Sequence, residues 1–167
     1  DHHANVNAKS DDGRTPLLAA VIAGQKDAAT FLISKGAKLD YGTFAGTTFD
    51  PIGARLKVSR GCDPPLNLAA WRGDVEMVKL LLANGARADS LLLHRAASSK
   101  NREVLELFLK NGAKVNESSI YTDGTPLHCA ARAGWKEGVE ILLAHGADIQ
   151  ATNRSQFPDG TPLHVAA

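Results

Sequence analysis

The chain has 167 residues, of which 44% are hydrophobic and 22% are charged, and its formal net charge is +1. This composition is ordinary for a globular protein, and the small net charge gives no electrostatic case for nucleic-acid binding. No apolar run approaches the roughly 18 residues of a membrane span, so no membrane insertion is expected.

The chain repeats itself in four complete units, and each unit predicts two short helices. A cap residue opens the first helix, a glycine nine residues later ends it, and a Gly-Ala pair closes the second helix twenty-one residues after the cap. An acid stands near the start of each second helix, where the helix dipole favours negative charge. The positions equivalent to the Thr125 cap are Thr15, Pro64 and Leu91, the closing glycines are Gly36, Gly85, Gly112 and Gly146, and the acids are Asp27, Glu76, Glu103 and Glu137.

Unit one covers residues 9–40 and shows the pattern clearly. Thr15 is expected to cap the first helix, and Pro16 then takes the first helical position, where its missing N–H is no loss. The second helix carries its apolar residues at Ala28, Ala29, Phe31, Leu32 and Ile33.

Residues 41–62 form an insertion of about 16 residues beyond the repeat period, rich in glycine, aromatic and β-branched residues. Insertions in repeat arrays map to the loops that join units. The alternation around Leu56 and Val58 is typical of a short strand or hairpin.

Unit three, residues 90–116, is the least regular of the remaining units. Leu91 and Leu92 replace a Thr-Pro pair, so the side-chain cap is expected to be lost. Lys100 stands where the other units have the ninth-position glycine, so either Lys100 adopts a positive φ or Asn101 takes the left-handed conformation. The other units cover residues 63–89 and 123–153.

Partial units at residues 1–8 and 159–167 flank these four. We therefore expect a single array over residues 1–167 that is a piece of a longer one. Terminal repeats normally carry polar substitutions on their outer face, and neither end shows them.

The repeated motifs resemble the ankyrin-repeat family. They read TPLL at 15–18, PPLNLAA at 64–70, TPLHCAA at 125–131 and TPLHVAA at 161–167. The resemblance implies an all-α solenoid of helix–turn–helix units with finger loops. It says little about function, because the binding surface of such a scaffold varies.

His94, His128 and His164 occupy the same motif position. A zinc site would need their ring nitrogens about 2 Å from one point, whereas helices that carry one histidine each pack ~8–10 Å apart. In ankyrin repeats the equivalent histidine bonds the motif threonine and the backbone of the adjoining loop. The resemblance therefore implies structural roles with Thr125 and Thr161, and it leaves the partner of His94 open.

Other signs of chemistry are weak. The sequence lacks a Walker A, Rossmann, zinc-protease or nucleophile-elbow motif. We therefore expect no enzymatic activity, no cofactor and no metal. Arg95, Arg102 and Lys110 form no dense basic block, which argues against a nucleic-acid partner.

The two cysteines bear on the compartment. Cys129 aligns with Ala19 and Leu68, which indicates a small buried residue, and Cys62 is the other cysteine. A disulfide framework is not expected, and a reducing, intracellular and cytoplasmic location is favoured over secretion as an effector.

The resemblance places the variable contact residues at the concave ends of the first helices and at the finger tips. Tryptophan, tyrosine and arginine most often carry interface energy. The insertion adds aromatic and cationic residues in a long loop, which is more often functional than idle. The predicted contacts are Trp71, Arg72 and Arg132 on helices, Tyr121 and Phe157 on fingers, and Phe44, Phe49, Arg55 and Arg60 in the insertion.

Two alternatives to this surface stay open. Trp71 could simply cover the neighbouring helix, and the aromatic residues of the insertion could fold back onto the solenoid flank as a compact loop. The favoured function is a monomeric scaffold or adaptor module that binds a protein partner. Its rival is a targeting domain of a larger enzyme, channel or effector whose activity lies outside this chain.

Overall fold

A computed structural model describes residues 4–11, 14–39, 64–88, 90–119, 124–152 and 160–162. The insertion at 41–62, with its expected hairpin, lies outside these residues. So do Tyr121, Phe157 and His164.

Eight helices make up the described part of the chain, which contains no strand beyond an isolated bridge between Ser119 and Gly124. The predicted all-α class of an ankyrin-repeat solenoid is confirmed. The helices are α1 (Pro16–Ile22), α2 (Lys26–Ser34), α3 (Pro64–Arg72), α4 (Val75–Ala83), α5 (Ser90–Ser98), α6 (Arg102–Lys110), α7 (Pro126–Arg132) and α8 (Lys136–Ala144).

The chain divides into two compact units, Asp1–Arg87 with α1–α4 and Ala88–Ala167 with α5–α8. In the first unit each helix pair packs internally, and α1 packs against α3. In the second unit α5 packs against α7 in the same way. In each unit the first helices therefore lie side by side, and each is backed by its own second helix.

The first helices begin where their caps place them. The Thr15 hydroxyl accepts the Leu18 N–H at 3.2 Å, and Thr125 is the N-cap residue of α7. In contrast, α3 and α5 begin at Pro64 and Ser90, earlier in the motif than α1 and α7. Neither of these helices has the Thr-Pro junction that opens α1 and α7. Leu91 lies inside α5 and is not a cap residue.

All four second helices have nine residues and end in the same way. The glycine after each helix has a φ between +83° and +93°, and the following alanine N–H returns to a carbonyl in the last turn. In the first unit Ala37 donates to Leu32 at 2.9 Å, which closes the helix with a Schellman motif. The predicted Gly-Ala stop is thus confirmed at all four places.

Lys100 carries the strained turn between α5 and α6. Its φ is +57°, whereas Asn101 has a φ of −94° and caps α6 by accepting the Val104 N–H at 3.1 Å. The side chain of Asn101 needs the extended cap geometry, so the left-handed conformation falls on Lys100. The alternative that the sequence left open is settled in this way.

Apolar side chains between the helices form the core of each unit. Complete burial of a leucine or phenylalanine stabilises the fold by about 1.5–3 kcal/mol. Cys129, at 2% exposure, is a small buried residue as predicted. The largest fully buried apolar side chains are Leu17, Leu66, Met77 and Leu81 in the first unit, and Leu92, Leu93, Leu105, Phe108, Leu127 and Leu142 in the second.

Two asparagines join consecutive fingers in the same geometry. The Asn7 amide donates to the Gly36 carbonyl at 3.1 Å and accepts the Lys38 N–H at 2.8 Å. Asn116 makes the equivalent pair of bonds one repeat apart, to the Gly146 carbonyl at 2.9 Å and the Asp148 N–H at 2.8 Å. Residues 4–8 therefore occupy the place that the end of a repeat, after its second helix, takes in the second unit.

Candidate partner-binding surfaces

Trp71 lies in the last turn of α3 and is 37% exposed. The next residue, Arg72, is also exposed and donates from Nη1 to the Ile22 carbonyl at the end of α1. This bond ties the ends of two packed first helices together and holds the arginine side chain in place. Trp71, Arg72 and the half-buried Ile22 therefore form one patch of the first unit, which we call the tryptophan patch.

Arg132 is exposed in the last turn of α7. The equivalent residue of α5 is Ser98, which is also exposed and whose hydroxyl donates to the His94 carbonyl at 3.0 Å. Arg95 lies one turn earlier on α5 and is partly buried. The ends of the first helices in this unit are therefore polar and cationic, whereas those of the first unit are mainly apolar.

The remaining predicted contacts lie outside the described residues: Phe44, Phe49, Arg55, Arg60, Tyr121 and Phe157. They stay predictions. The structure consequently places three of the nine predicted residues and brings Trp71 and Arg72 together in one unit.

The sequence did not indicate that some apolar residues of the second helices are exposed. Phe31, assigned to the apolar side of α2, is 62% exposed, and the Lys35 ammonium lies 5.4 Å from the centre of its ring. Of the five apolar residues assigned to that helix, only Ala29 is buried. Hydrophobic periodicity cannot find such positions, because an apolar residue looks the same whether its face is covered or open.

An apolar groove of about 320 Å³ lies at one face of the second unit. Trp135 forms part of its wall and is almost completely buried. Exposed Leu143 and Ile149 line its open side. Pro162, where the next motif begins, also contacts the groove.

His128 is completely buried and bridges two loops. Its Nδ1 accepts the Thr125 N–H at 3.2 Å and lies 2.9 Å from the threonine hydroxyl, while Nε2 donates to the Gly160 carbonyl at 3.1 Å. These bonds require the neutral ring. Burial is the main cause that lowers the pKa of His128, the charge on Arg132 adds to it, and the bond to Gly160 opposes this shift.

His94 takes the same position in α5. It is completely buried, and its Nε2 lies 2.9 Å from the Gly124 carbonyl. The structural role that the resemblance implied is therefore confirmed for His128. The partner of His94, which the sequence left open, is the Gly124 carbonyl in the finger loop of the next repeat. Within the described ranges, no group of three histidine, cysteine or acidic side chains could hold a metal ion.

Acidic side chains on the helices stand only on the second helices, where several form ion pairs. Arg102 reaches Glu106 at 2.9 Å and Glu137 of the neighbouring α8 at 2.5 Å. Glu76 contacts Lys79 at 2.9 Å and Lys26 at 3.0 Å, and the hydrogen bonds from these two ammonium groups lower its pKa to about 2. The pairs are exposed, so each contributes little to stability.

Comparisons with known proteins agree with this architecture. A family model described as ankyrin repeats in three copies matches residues 51–119 and 93–167, and a single ankyrin repeat model matches residues 12–43. In the part of the chain that is described, no helix has the length and apolar character needed to cross a membrane.

Similar curated proteins differ widely in size and kind. The fowlpox virus ankyrin repeat protein FPV223 is 32% identical over 139 residues, which cover 80% of this chain and 86% of the relative. Human transient receptor potential cation channel subfamily A member 1 is 30% identical over 169 residues, 93% of this chain and 14% of the channel. Human ankyrin repeat and SOCS box protein 16 is 32% identical over 140 residues, 80% of this chain and 27% of the relative.

Apart from FPV223, most of the relatives are much longer than this chain, which spans 31% or less of their length. Three findings agree: the helix pairs end in Gly-Ala stops, a buried histidine bridges consecutive finger loops, and ankyrin-repeat models match most of the sequence. The chain belongs to the ankyrin-repeat family.

Proposed function

We propose that this chain is a non-catalytic scaffold or adaptor module that binds a protein partner through the ends of its first helices and its finger loops. Ankyrin repeats generally serve as protein-interaction modules. The observation that carries the proposal is the tryptophan patch. A large indole ring is exposed at the end of α3, and the next residue is an arginine that its own unit already holds in place.

The chemistry of this patch suits a protein partner. Tryptophan and arginine are enriched among the residues that dominate binding energy, and they act best where they are pre-positioned. Packing of α1 against α3 supplies a rigid base, and the bond from Arg72 to Ile22 reduces the freedom lost on binding.

The test compares two exposed aromatic residues of the same unit. The chain, Trp71→Ala and Phe31→Ala are each used as bait, and captured proteins are quantified by mass spectrometry and then titrated in purified form. Trp71→Ala should weaken binding of the captured partner by about 2 kcal/mol. Phe31 lies on a second helix, so Phe31→Ala should leave binding unchanged. Equal binding by all three proteins would remove the tryptophan patch from the proposal.

The insertion at 41–62 is included in the proposed partner site because the other units manage without it and because it carries Phe44, Phe49, Arg55 and Arg60. Shortening it to an ordinary finger should leave the melting temperature nearly unchanged and weaken partner binding. A lower melting temperature with normal binding would instead assign the insertion a structural role.

A second candidate function is a targeting domain within a larger channel or enzyme. The relatives favour it, since two of them are named as transient receptor potential channels and the chain covers 14% and 11% of their lengths. On either proposal the chain acts as a monomeric, cytoplasmic array without cofactor or nucleic-acid partner. Analytical ultracentrifugation of the purified chain tests the monomer.

A further inference from the structure

The first helices of the second unit each carry an arginine in the last turn, Arg95 on α5 and Arg132 on α7. His94 and His128 make equivalent bonds to the Gly124 and Gly160 carbonyls, which fixes α5 and α7 in the same register. Ser98 and Arg132 are therefore equivalent positions on two packed helices, and both are exposed. Arg95 precedes Ser98 by three residues, so the two share a helix face.

We call Arg95, Ser98 and Arg132 the arginine face. The two helices that carry it, α5 and α7, have cationic side chains and no acidic one. The stretches 90–101 and 124–135 contain Arg95, Lys100 and Arg132 and no acidic residue. The four acids of the helices in this unit all stand on α6 and α8, where Glu106 and Glu137 pair with Arg102, and Glu140 lies 3.8 Å from Lys136.

Arg95 provides an independent observation. Its Nε atom is buried, and no hydrogen-bond partner for it exists among the described residues. A buried donor without an acceptor costs free energy, and a carboxylate that binds an arginine side-on takes up Nε–H together with an Nη–H. A carboxylate of a ligand could therefore accept the hydrogen bond that the Nε–H of Arg95 lacks among the described residues.

We propose that the arginine face binds a linear acidic segment of the protein partner, with carboxylates seated on Arg95 and Arg132. This inference rests on the proposed function and deepens it by naming the kind of segment recognised. Exposed Lys100 widens the positive field at the adjoining turn. Such complementarity mainly raises the association rate and selects among partners.

The competing explanation is that these arginines only interact with the C-terminal ends of their helices, where the dipole favours cations. That role would influence stability without selecting any ligand. A binding measurement therefore separates the two explanations, provided that folding is monitored in parallel.

The experiment selects short linear peptides from a random phage-displayed library against the immobilised full chain. Selected sequences should be enriched in Asp and Glu. Fluorescence anisotropy with the best labelled peptide should then show at least a roughly tenfold weaker Kd for the double variant Arg95→Gln/Arg132→Gln. Binding should also weaken as NaCl rises from about 50 to about 300 mM.

Two control proteins accompany this measurement. Lys110→Gln/Lys114→Gln removes the same charge from exposed positions away from the arginine face, and it should retain the Kd within about twofold. Arg95→Lys/Arg132→Lys keeps both charges without the bidentate geometry, so it should bind with intermediate affinity. Thermal melting of each variant confirms that it is folded.

Selected peptides without acidic enrichment, or equal binding by the two glutamine variants, would overturn the inference. Failure to select any peptide would overturn it as well. In those cases partner binding that still depends on Trp71 would leave the proposed function standing. Tighter binding of a labelled single-stranded oligonucleotide than of any acidic peptide, lost in Arg95→Gln/Arg132→Gln, would assign the face to nucleic acid instead.

Discussion

The indole ring of Trp135 occupies the space that a side chain would take at Gly138. A Cβ atom built on Gly138 would lie 2.1 Å from Cε3 of Trp135, far inside van der Waals contact. The equivalent residues in the other second helices are Ala28, Met77 and Val104, and their N-caps are Gln25, Asp74 and Asn101. The tryptophan N-cap and the helical glycine of α8 are therefore one packing arrangement, found in this repeat alone among the four described.

Gly138→Ala should destabilise the second unit by about 1–2 kcal/mol, although alanine is the better helix former by up to ~1 kcal/mol. The new methyl group must displace the indole ring, which also forms a wall of the apolar groove. Urea unfolding followed by circular dichroism measures the change. In a Trp135→Ala background the same substitution should be neutral or stabilising, and equal effects in both backgrounds would contradict the packing argument.

Lys100→Gly should stabilise the protein by a few tenths to about 1 kcal/mol, because Lys100 has a φ of +57° and glycine adopts that conformation without strain. Gly134→Ala, at a φ of +60° in the equivalent turn of the next repeat, serves as the inverse control and should destabilise. Chemical denaturation of both variants supplies the measurement. A loss of stability in Lys100→Gly would show that the lysine side chain contributes more than its backbone costs.

The buried His128 should make stability depend on pH. Its pKa is lowered in the folded state, mainly by burial, so the unfolded chain binds the proton more tightly than the folded chain. The contribution is complete above the unfolded pKa of about 6.5 and is lost as pH falls from there toward the folded pKa. Urea midpoints measured between about pH 7.5 and 5 should fall with acidification.

His128→Gln provides the comparison for that titration. It should lower stability at neutral pH by about 1–3 kcal/mol, because the bonds to Thr125 and Gly160 are not both rebuilt. Its stability should also change less than that of the parent between the two pH values. The same pH slope in both proteins would assign the dependence to other groups.

Asn116→Ala should cost about 1–2 kcal/mol, since it removes the bonds to the Gly146 carbonyl and to the Asp148 N–H. Hydrogen exchange at the Asp148 amide should accelerate, and exchange within α5 should change less. Asn7→Ala is the matched substitution in the first unit and should act in the same way on the Lys38 amide. Unchanged exchange at Asp148 would show that the asparagine bridge does not hold the finger.

Sequence alone determined the features that depend on neighbours along the chain. The caps at Thr15 and Thr125, the Gly-Ala stops and the placement of acids in the first turn of each second helix follow from local backbone requirements. The buried position of Cys129 followed from its alignment with Ala19 and Leu68. These signals recur at fixed spacing, so each repeat supports the interpretation of the others.

Tertiary structure decided the contacts that span 30 to 50 residues. The carbonyl that His94 binds, the bond from Arg72 to Ile22 and the exposure of Phe31 depend on which helix lies alongside. The sequence allowed the left-handed conformation at either Lys100 or Asn101. Because Asn101 caps α6 in an extended conformation, Lys100 has the positive φ. Periodicity shows which face of a helix is apolar, but only the helix packed against it determines which part of that face is buried. The packed neighbour also determines which acceptor forms a hydrogen bond with each buried polar group.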